Sequence, residues 1–225
     1  FRLINAATNR IFPVAVSGGA GSVVALDGMA LPVPRQMTDL VLAPAQRADL
    51  IVDITGPVGF NMVTRDGSYR LADLEVIGTN TDRQASPIMA LSQPNLPTPA
   101  EQTQHLTLTM MGGAMGGRHD GDNIWAFNNV SDLQTKPFGS FRNGETVRIT
   151  FANDTSFPHG IHLHGHHFYE VDQNGALGDL RDTTLVNAGE SRDIICVFDN
   201  SGRWLLHCHM LSHAVGGMRT WVNVA

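Results

Sequence analysis

The sequence predicts an all-β protein built as two β-sandwiches, the first of them truncated at its N-terminus. Three observations predict it. Short apolar or alternating runs recur along the 225 residues, punctuated by Gly, Pro, Asn and Asp, which is the rhythm of sandwiches and barrels. No long stretch repeats apolar residues at intervals of three and four, so helical signals are nearly absent. A segment holding Pro87, Pro94, Pro97 and Pro99 among Ser, Gln and Asn divides the chain as an extended linker does.

The elements follow in order. Phe1-Arg2-Leu3-Ile4 opens the chain as a strand, and apolar runs at 23–26, 49–54, 60–63 and 71–77 continue the first block, residues 1–82. Residues 83–103 form the Pro-rich linker. Runs at 106–110, 147–151, 168–171, 193–198 and 218–224 make the second block, 104–225, a normal length for a sandwich. The first block is short and starts directly on a strand, so its first strands are expected to be missing. With Phe1 as first residue and no signal peptide, the chain is expected to be processed, clipped or incomplete there.

Composition narrows the function. Hydrophobic residues make up 42% and charged residues 16%, with 23 Gly and 11 Pro, which excludes disordered, collagenous and coiled-coil chains. The net charge is −6 and Lys136 is the single lysine, so no basic surface invites nucleic acid or anionic lipid. No apolar run approaches the ~20 residues that span a bilayer. Two cysteines cannot form a disulfide scaffold.

The ten histidines are distributed unevenly: eight lie between His159 and His213, and residues 1–104 have none. They form two motifs, His159-Gly-Ile-His162-Leu-His164-Gly and His207-Cys208-His209-Met-Leu-Ser-His213-Ala-Val-Gly-Gly-Met218. Side chains alternate across a strand. His207 and His209 therefore point one way and Cys208 the other. His162 and His164 likewise share a face, and His159 has the opposite parity. Two such strands lying side by side would present four imidazoles on one side and His159 with Cys208 on the other. Two imidazoles, a thiolate and a weak axial thioether make a blue-copper electron-transfer site, and His159, Cys208, His213 and Met218 supply those groups. The four-imidazole face is suited to one or several copper, zinc or iron ions. Because Cys208 is bonded to both His207 and His209, one strand would wire two metal centres together. Each of these histidines alone would read as a polar strand residue; the two matched spacings are what point to metal.

These motifs closely resemble the copper motifs of multicopper oxidases, the laccases and bacterial copper-tolerance oxidases. Asn5-Ala6 and the stretch Leu42-Ala43-Pro44-Ala45-Gln46-Arg47-Ala48-Asp49 resemble the second cupredoxin domain of the three-domain enzymes, and residues from about 104 onward resemble the third. The resemblance implies two cupredoxin-like Greek-key β-sandwiches, with a type 1 copper on His159, Cys208, His213 and axial Met218. It implies His162 as a type 2 ligand and His164, His207 and His209 as type 3 ligands. In that family a reducing substrate, phenolic or aromatic or cuprous ion, gives electrons singly to the type 1 copper. The trinuclear cluster then reduces dioxygen to water. Cys208, His207 and His209 would carry the electrons between the two. The resemblance also implies an extracytoplasmic setting, in bacteria the periplasm.

The family's cluster needs two further His-x-His pairs, and before residue 159 only His105 and His119 occur. An N-terminal cupredoxin domain or separate chain is therefore expected as partner, and the isolated chain is expected to be inactive toward dioxygen. Other readings stay open: a two-domain laccase, a copper nitrite reductase-like enzyme, or a non-enzymatic blue-copper or copper-binding module. Among the remaining residues, Met110, Met111 and Met115 are read as core and gap fillers, with a cuprous-ion contact as the functional alternative. Cys196 is read as a buried inert thiol. Asp182 is read as orienting a ligand strand, shaping a substrate cleft or making an Asx turn. His166 and His167 are read as supporting or surface residues.

Overall fold

The computed structural model describes residues 1–38, 40–78, 87–113 and 124–225. The chain divides into two compact units. One comprises Phe1–Ala6 and Ile11–Pro94, the other Ala7–Arg10 and Asn95–Ala225.

The first unit has strands β1 (Arg2–Ile4), β2 (Phe12–Leu26), β3 (Met29–Gln36), β4 (Leu40–Leu42), β5 (Arg47–Thr64) and β6 (Gly67–Leu74). They form one sheet in the order β1-β5-β2-β3, with β4 on β2 and β6 on β5. Val23, Leu26, Leu31, Leu42, Ala48 and Leu50 make its buried core. The runs expected at 49–54 and 60–63 belong to the single strand β5. Ser17 pairs with Gly59 and Gly19 with Ile54, so residues 55–58 bulge outward opposite Gly18. Pro57 is tolerated there because a bulge asks no ladder hydrogen bond of it. Gly18 has φ +87, and a Cβ on it would lie 2.1 Å from the Pro57 carbonyl oxygen.

The stretch 42–49 proves to be a knot of backbone satisfaction. Buried Asn5 donates to the Leu42 carbonyl at 2.7 Å, the Gln46 side chain accepts the Ala43 N–H at 2.8 Å, and buried Asp27 accepts the Arg47 N–H at 2.8 Å. Each group would otherwise be a polar atom stranded beside the core.

The second unit continues with β7 (Gln104–Gly112), β8 (Trp125–Phe127), β9 (Gly139–Phe141), β10 (Glu145–Asn153), β11 (His159–Leu163), β12 (Phe168–Val171), β13 (Leu177–Arg181), β14 (Thr183–Val186), β15 (Ser191–Phe198), β16 (Gly202–Cys208), the short helix α1 (Leu211–Val215) and β17 (Arg219–Val224). Two sheets result, β13-β12-β15-β10-β7-β8 and β14-β11-β16-β17-β9. From Val147 onward β10 alternates, with Val147, Ile149 and Phe151 fully buried; Thr146 before them is buried as well. Phe168, Ile194 and Phe198 of the same sheet and Ile161, Leu163, Leu206 and Val222 of the other are likewise without exposure or nearly so. Each such side chain contributes about 1.5–3 kcal/mol by leaving water. This core is the rigid floor on which β11 and β16 lie side by side.

Met110 is fully buried at the end of β7, the core role expected of it, and Met111 pairs with Ala126 of β8. Met115 and His119 lie outside the described residues. No helix among the described residues is long and apolar enough to cross a membrane.

Candidate metal centre

Strands β11 and β16 pair antiparallel, with Ile161 opposite Cys208 and His162 opposite His207. This register puts Cys208 and His159 on one face and His162 and His207 on the other, as side-chain alternation requires. The chain leaves β16 at Cys208, turns through α1 and returns as β17 at Arg219. Within that loop the Met218 N–H donates to the His213 carbonyl at 2.9 Å and the Cys208 N–H to the Met218 carbonyl at 3.1 Å. Gly217 permits the return. Its φ is +111, and a Cβ there would come within 1.9 Å of Ser131 Oγ.

On the first face, Cys208 Sγ lies 3.6 Å from His159 Nδ1 and 3.7 Å from His213 Nδ1, and the two Nδ1 atoms are 3.0 Å apart. All three ligand atoms fall within 4.8 Å of one another. Cys208, His159 and Met218 are fully buried and His213 is half-buried. Burial pulls the histidines down, His159 to about 3 with help from repulsion by His213, and His213 to about 4. Both rings are therefore neutral near pH 7, with a lone pair free for a metal. Burial also pushes the Cys208 thiol up to about 12, although the N–H groups of Met210 and Gly160 pull it back. A cation among these atoms reverses that penalty, because a coordinated thiol loses its proton.

The rings are held from behind. His159 Nε2 meets Thr155 Oγ1 at 2.8 Å, and that hydroxyl donates to Asn153 Oδ1 at 2.7 Å. His159 thus presents Nδ1 to the sulfur and carries its proton on Nε2, the usual outer arrangement of a metal-binding histidine. Trp125 lies over His213 with ring centroids 4.2 Å apart and stands edge-on to His159 at 5.2 Å.

The opposite face is looser. His162 lies 4.7 Å from His164 and 5.7 Å from both His207 and His209, centroid to centroid, and His207 and His209 are 5.4 Å apart. His164 Nε2 and His207 Nε2 approach to 3.1 Å. His162 Nδ1 meets the Asp182 carbonyl at 2.9 Å and Thr183 Oγ1 at 3.0 Å. His207 Nδ1 is held by the Cys208 carbonyl at 2.9 Å. Both rings therefore turn Nε2 toward their neighbours. Burial, with repulsion from the other rings, pulls His207 down to about 4; burial, then His162 and His209, lowers His164 as well. His164 itself is exposed.

A buried thiol between two neutral imidazoles, back to back with four more imidazoles, is a donor set for copper rather than for hard cations. Residues 95–225 match the family model described as multicopper oxidase. The chain belongs to the multicopper oxidase family. Copper is the metal of this family, and the His/Cys group fits it.

The chain is 31% identical over 234 residues to multicopper oxidase MmcO of Mycobacterium tuberculosis, covering 97% of this chain and 45% of that protein. It is 38% identical over 100 residues to copper resistance protein A of Escherichia coli, covering 44% of this chain and 16% of that one. Among solved structures, Lac15 from a marine microbial metagenome superposes with a TM-score of 0.84 at 51% identity, over 99% of this chain and 54% of that one. A multicopper oxidase of Pseudomonas thermotolerans shares the fold, with a TM-score of 0.85 at 22% identity over 100% of this chain and 54% of that one. The chain thus spans about half the length of these relatives where they match it throughout.

Of the eight residues singled out in the sequence, His159, Cys208 and His213 come together on one face and His162, His164, His207 and His209 on the other, while Met218 is fully buried where the loop returns to β17. Cys196 is fully buried, its thiol facing the His167 carbonyl at 3.6 Å, and burial raises it well above its ordinary value. Asp182 is buried beside His162, with Oδ1 3.6 Å from His162 Nδ1. His166 is buried and faces the His164 carbonyl at 3.2 Å. His105 meets Thr150 Oγ1 at 2.7 Å, on a different sheet from the motifs. Sequence reasoning missed Thr155 and Trp125. Thr155 stands only four residues before His159 and was open to detection as an outer partner; Trp125 carried no local signal.

Proposed function

We propose that this chain carries the electron-entry copper site of an oxidase together with part of its oxygen-reducing site. In this reading His159, Cys208, His213 and Met218 hold a type 1 copper. His162 serves a type 2 copper, and His164, His207 and His209 serve a type 3 pair. Copper bound at these positions supplies one-electron redox chemistry, linking a reducing substrate (phenolic, aromatic or cuprous ion) to the four-electron reduction of dioxygen to water.

The chain's own residues define the rest. Thr155 fixes His159, and Trp125 with the buried core keeps water from the sulfur. A dry site strengthens the pull of the ligands on the metal. The peptide bonds from Cys208 to His207 and His209 give a continuous covalent path from one face to the other. Four imidazoles are too few for a trinuclear centre of this family, so the remaining ligands would come from polypeptide outside these 225 residues. The setting would be extracytoplasmic.

The observation that carries this reading is the close group of Cys208, His159 and His213 on the reverse of the strand that bears His207 and His209. Copper titration tests it. The isolated chain should bind one copper tightly and turn blue. Vigorous oxygen consumption should appear only when a polypeptide bearing the other His-x-His pairs is supplied. A colourless copper-loaded chain would overturn the assignment, and tight blue binding with no oxidase activity in any such assembly would leave an electron-transfer module.

A further inference from the structure

The helix that bears His213 has five residues, and its N-cap position, Met210, has no side chain that caps it. Backbone N–H groups at a helix start need acceptors from somewhere. Here they come from the opposite end of the sequence. The Leu211 N–H donates to the Thr8 carbonyl at 2.8 Å. The Ser212 N–H donates to Asn9 Oδ1 at 3.2 Å, and the Ser212 hydroxyl donates to the same oxygen at 2.9 Å. Residues Ala7–Arg10 group with the second unit, although the residues on both sides of them group with the first.

We propose that Asn9 is a positioning residue for His213, capping the helix from a distance and so helping to set the geometry of the sulfur-bound copper site. The proposal rests on the copper reading given above. Ser212, which Asn9 holds twice, is the immediate neighbour of His213. The His213 carbonyl in turn holds the Met218 N–H, and the Met218 carbonyl holds the Cys208 N–H. A path of hydrogen bonds, joined through the Ser212–His213 peptide bond, therefore leads from Asn9 to the metal-binding loop. A Ser, Thr, Asp or Asn at position 210 would have capped the helix locally. With Met there, the first turn depends on residues 203 positions away.

The test uses the full chain, with Asn9→Ala to remove the acceptor and Asn9→Asp to retain it. In the metal-free chain, Asn9→Ala should speed hydrogen exchange at the Ser212 amide about fivefold, the effect of losing one cap, and should shift the His213 ring resonances. Asn9→Asp should restore both. In the copper-loaded chain, Asn9→Ala should shift the visible sulfur-to-copper absorption and weaken copper binding about tenfold, as loss of an outer partner does, with Asn9→Asp again close to the parent. The three tryptophans, Trp125, Trp204 and Trp221, all lie in the second unit, so an unchanged fluorescence melt would show that the unit stays folded. Exchange, ring resonances and absorption all unmoved in Asn9→Ala would overturn the proposal. If the parent chain never turns blue, the copper reading fails instead, and the two metal-free measurements still decide the cap.

Discussion

The two faces of β16 carry the same kind of side chain in two different states of readiness. Beneath the strand, the sulfur and two imidazole nitrogens already lie within 4.8 Å, with Cys208 and His159 buried, His213 half-buried and the rings held by Thr155 and Trp125. Above it, His162 lies at centroid distances of 4.7 to 5.7 Å from the other three imidazoles, with His164 exposed. The lower set comes from one sheet and one loop, so folding of this unit alone assembles it. The upper set stops short of enclosure. Preorganisation on one side and openness on the other separate a donor set gathered by this unit's own fold from one that stays open to its surroundings.

The sharpest way to break this comparison is Cys208→Ser. We expect complete loss of the blue absorption and of the one tight copper, with the fold unchanged, read by visible spectroscopy and metal analysis of the isolated chain. Next comes His164→Ala, which should leave colour and tight binding intact in the isolated chain. In an assembly that supplies the other histidines, it should reduce oxygen consumption more than a hundredfold. Colour loss in that variant would mean the two faces are not independent.

Acid and alkali should sharpen the contrast further. Histidine ordinarily titrates near 6.5, whereas burial holds His159 at about 3 and His207 and His213 at about 4. Between pH 6.5 and 4 the unfolded chain takes up protons that the native one refuses. Metal-free stability is therefore complete above 6.5 and declines as the pH falls, by up to about 1.4 kcal/mol per pH unit for each of the two most buried rings. Cys208, pushed to about 12, works in the opposite sense: the unfolded thiol ionises near 8.5–9, so stability declines again above that pH. Bound copper should flatten the alkaline limb, because the thiol is then already deprotonated. Tryptophan-monitored melts across pH, with and without copper, check both limbs. The smallest effect is expected from Thr155→Val, which frees His159 Nε2. Copper affinity should weaken about tenfold by chelator competition, with the upper face untouched.

Much of the metal centre was legible because side-chain alternation is local. Once His159-x-x-His162-x-His164 and His207-Cys208-His209 are placed on strands, the faces follow without knowledge of the rest. The all-β class was legible for the same reason. What escaped depended on distant chain. Trp125 reaches the centre from β8, and Asn9 lies some two hundred residues from the helix it caps; no local periodicity encodes such meetings. The runs at 49–54 and 60–63 looked like two strands because Gly56 and Pro57 interrupt them. The bulge opposite Gly18 absorbs that interruption, and only the partner strand reveals it. The run expected at 71–77 became β6, ending at Leu74 and exposed along its whole length.

Full burial of Cys208 has a kinetic corollary. With no surface open to solvent, the sulfur should be reached by an ion, an alkylating reagent or an oxidant only after a local opening, for which the turn around half-buried His213 is the nearest cover. Loading should therefore saturate with rising copper concentration at the rate of that local opening. The same rate should cap thiol labelling of the empty chain, and once filled, the site should release its ion no faster than the turn unlatches.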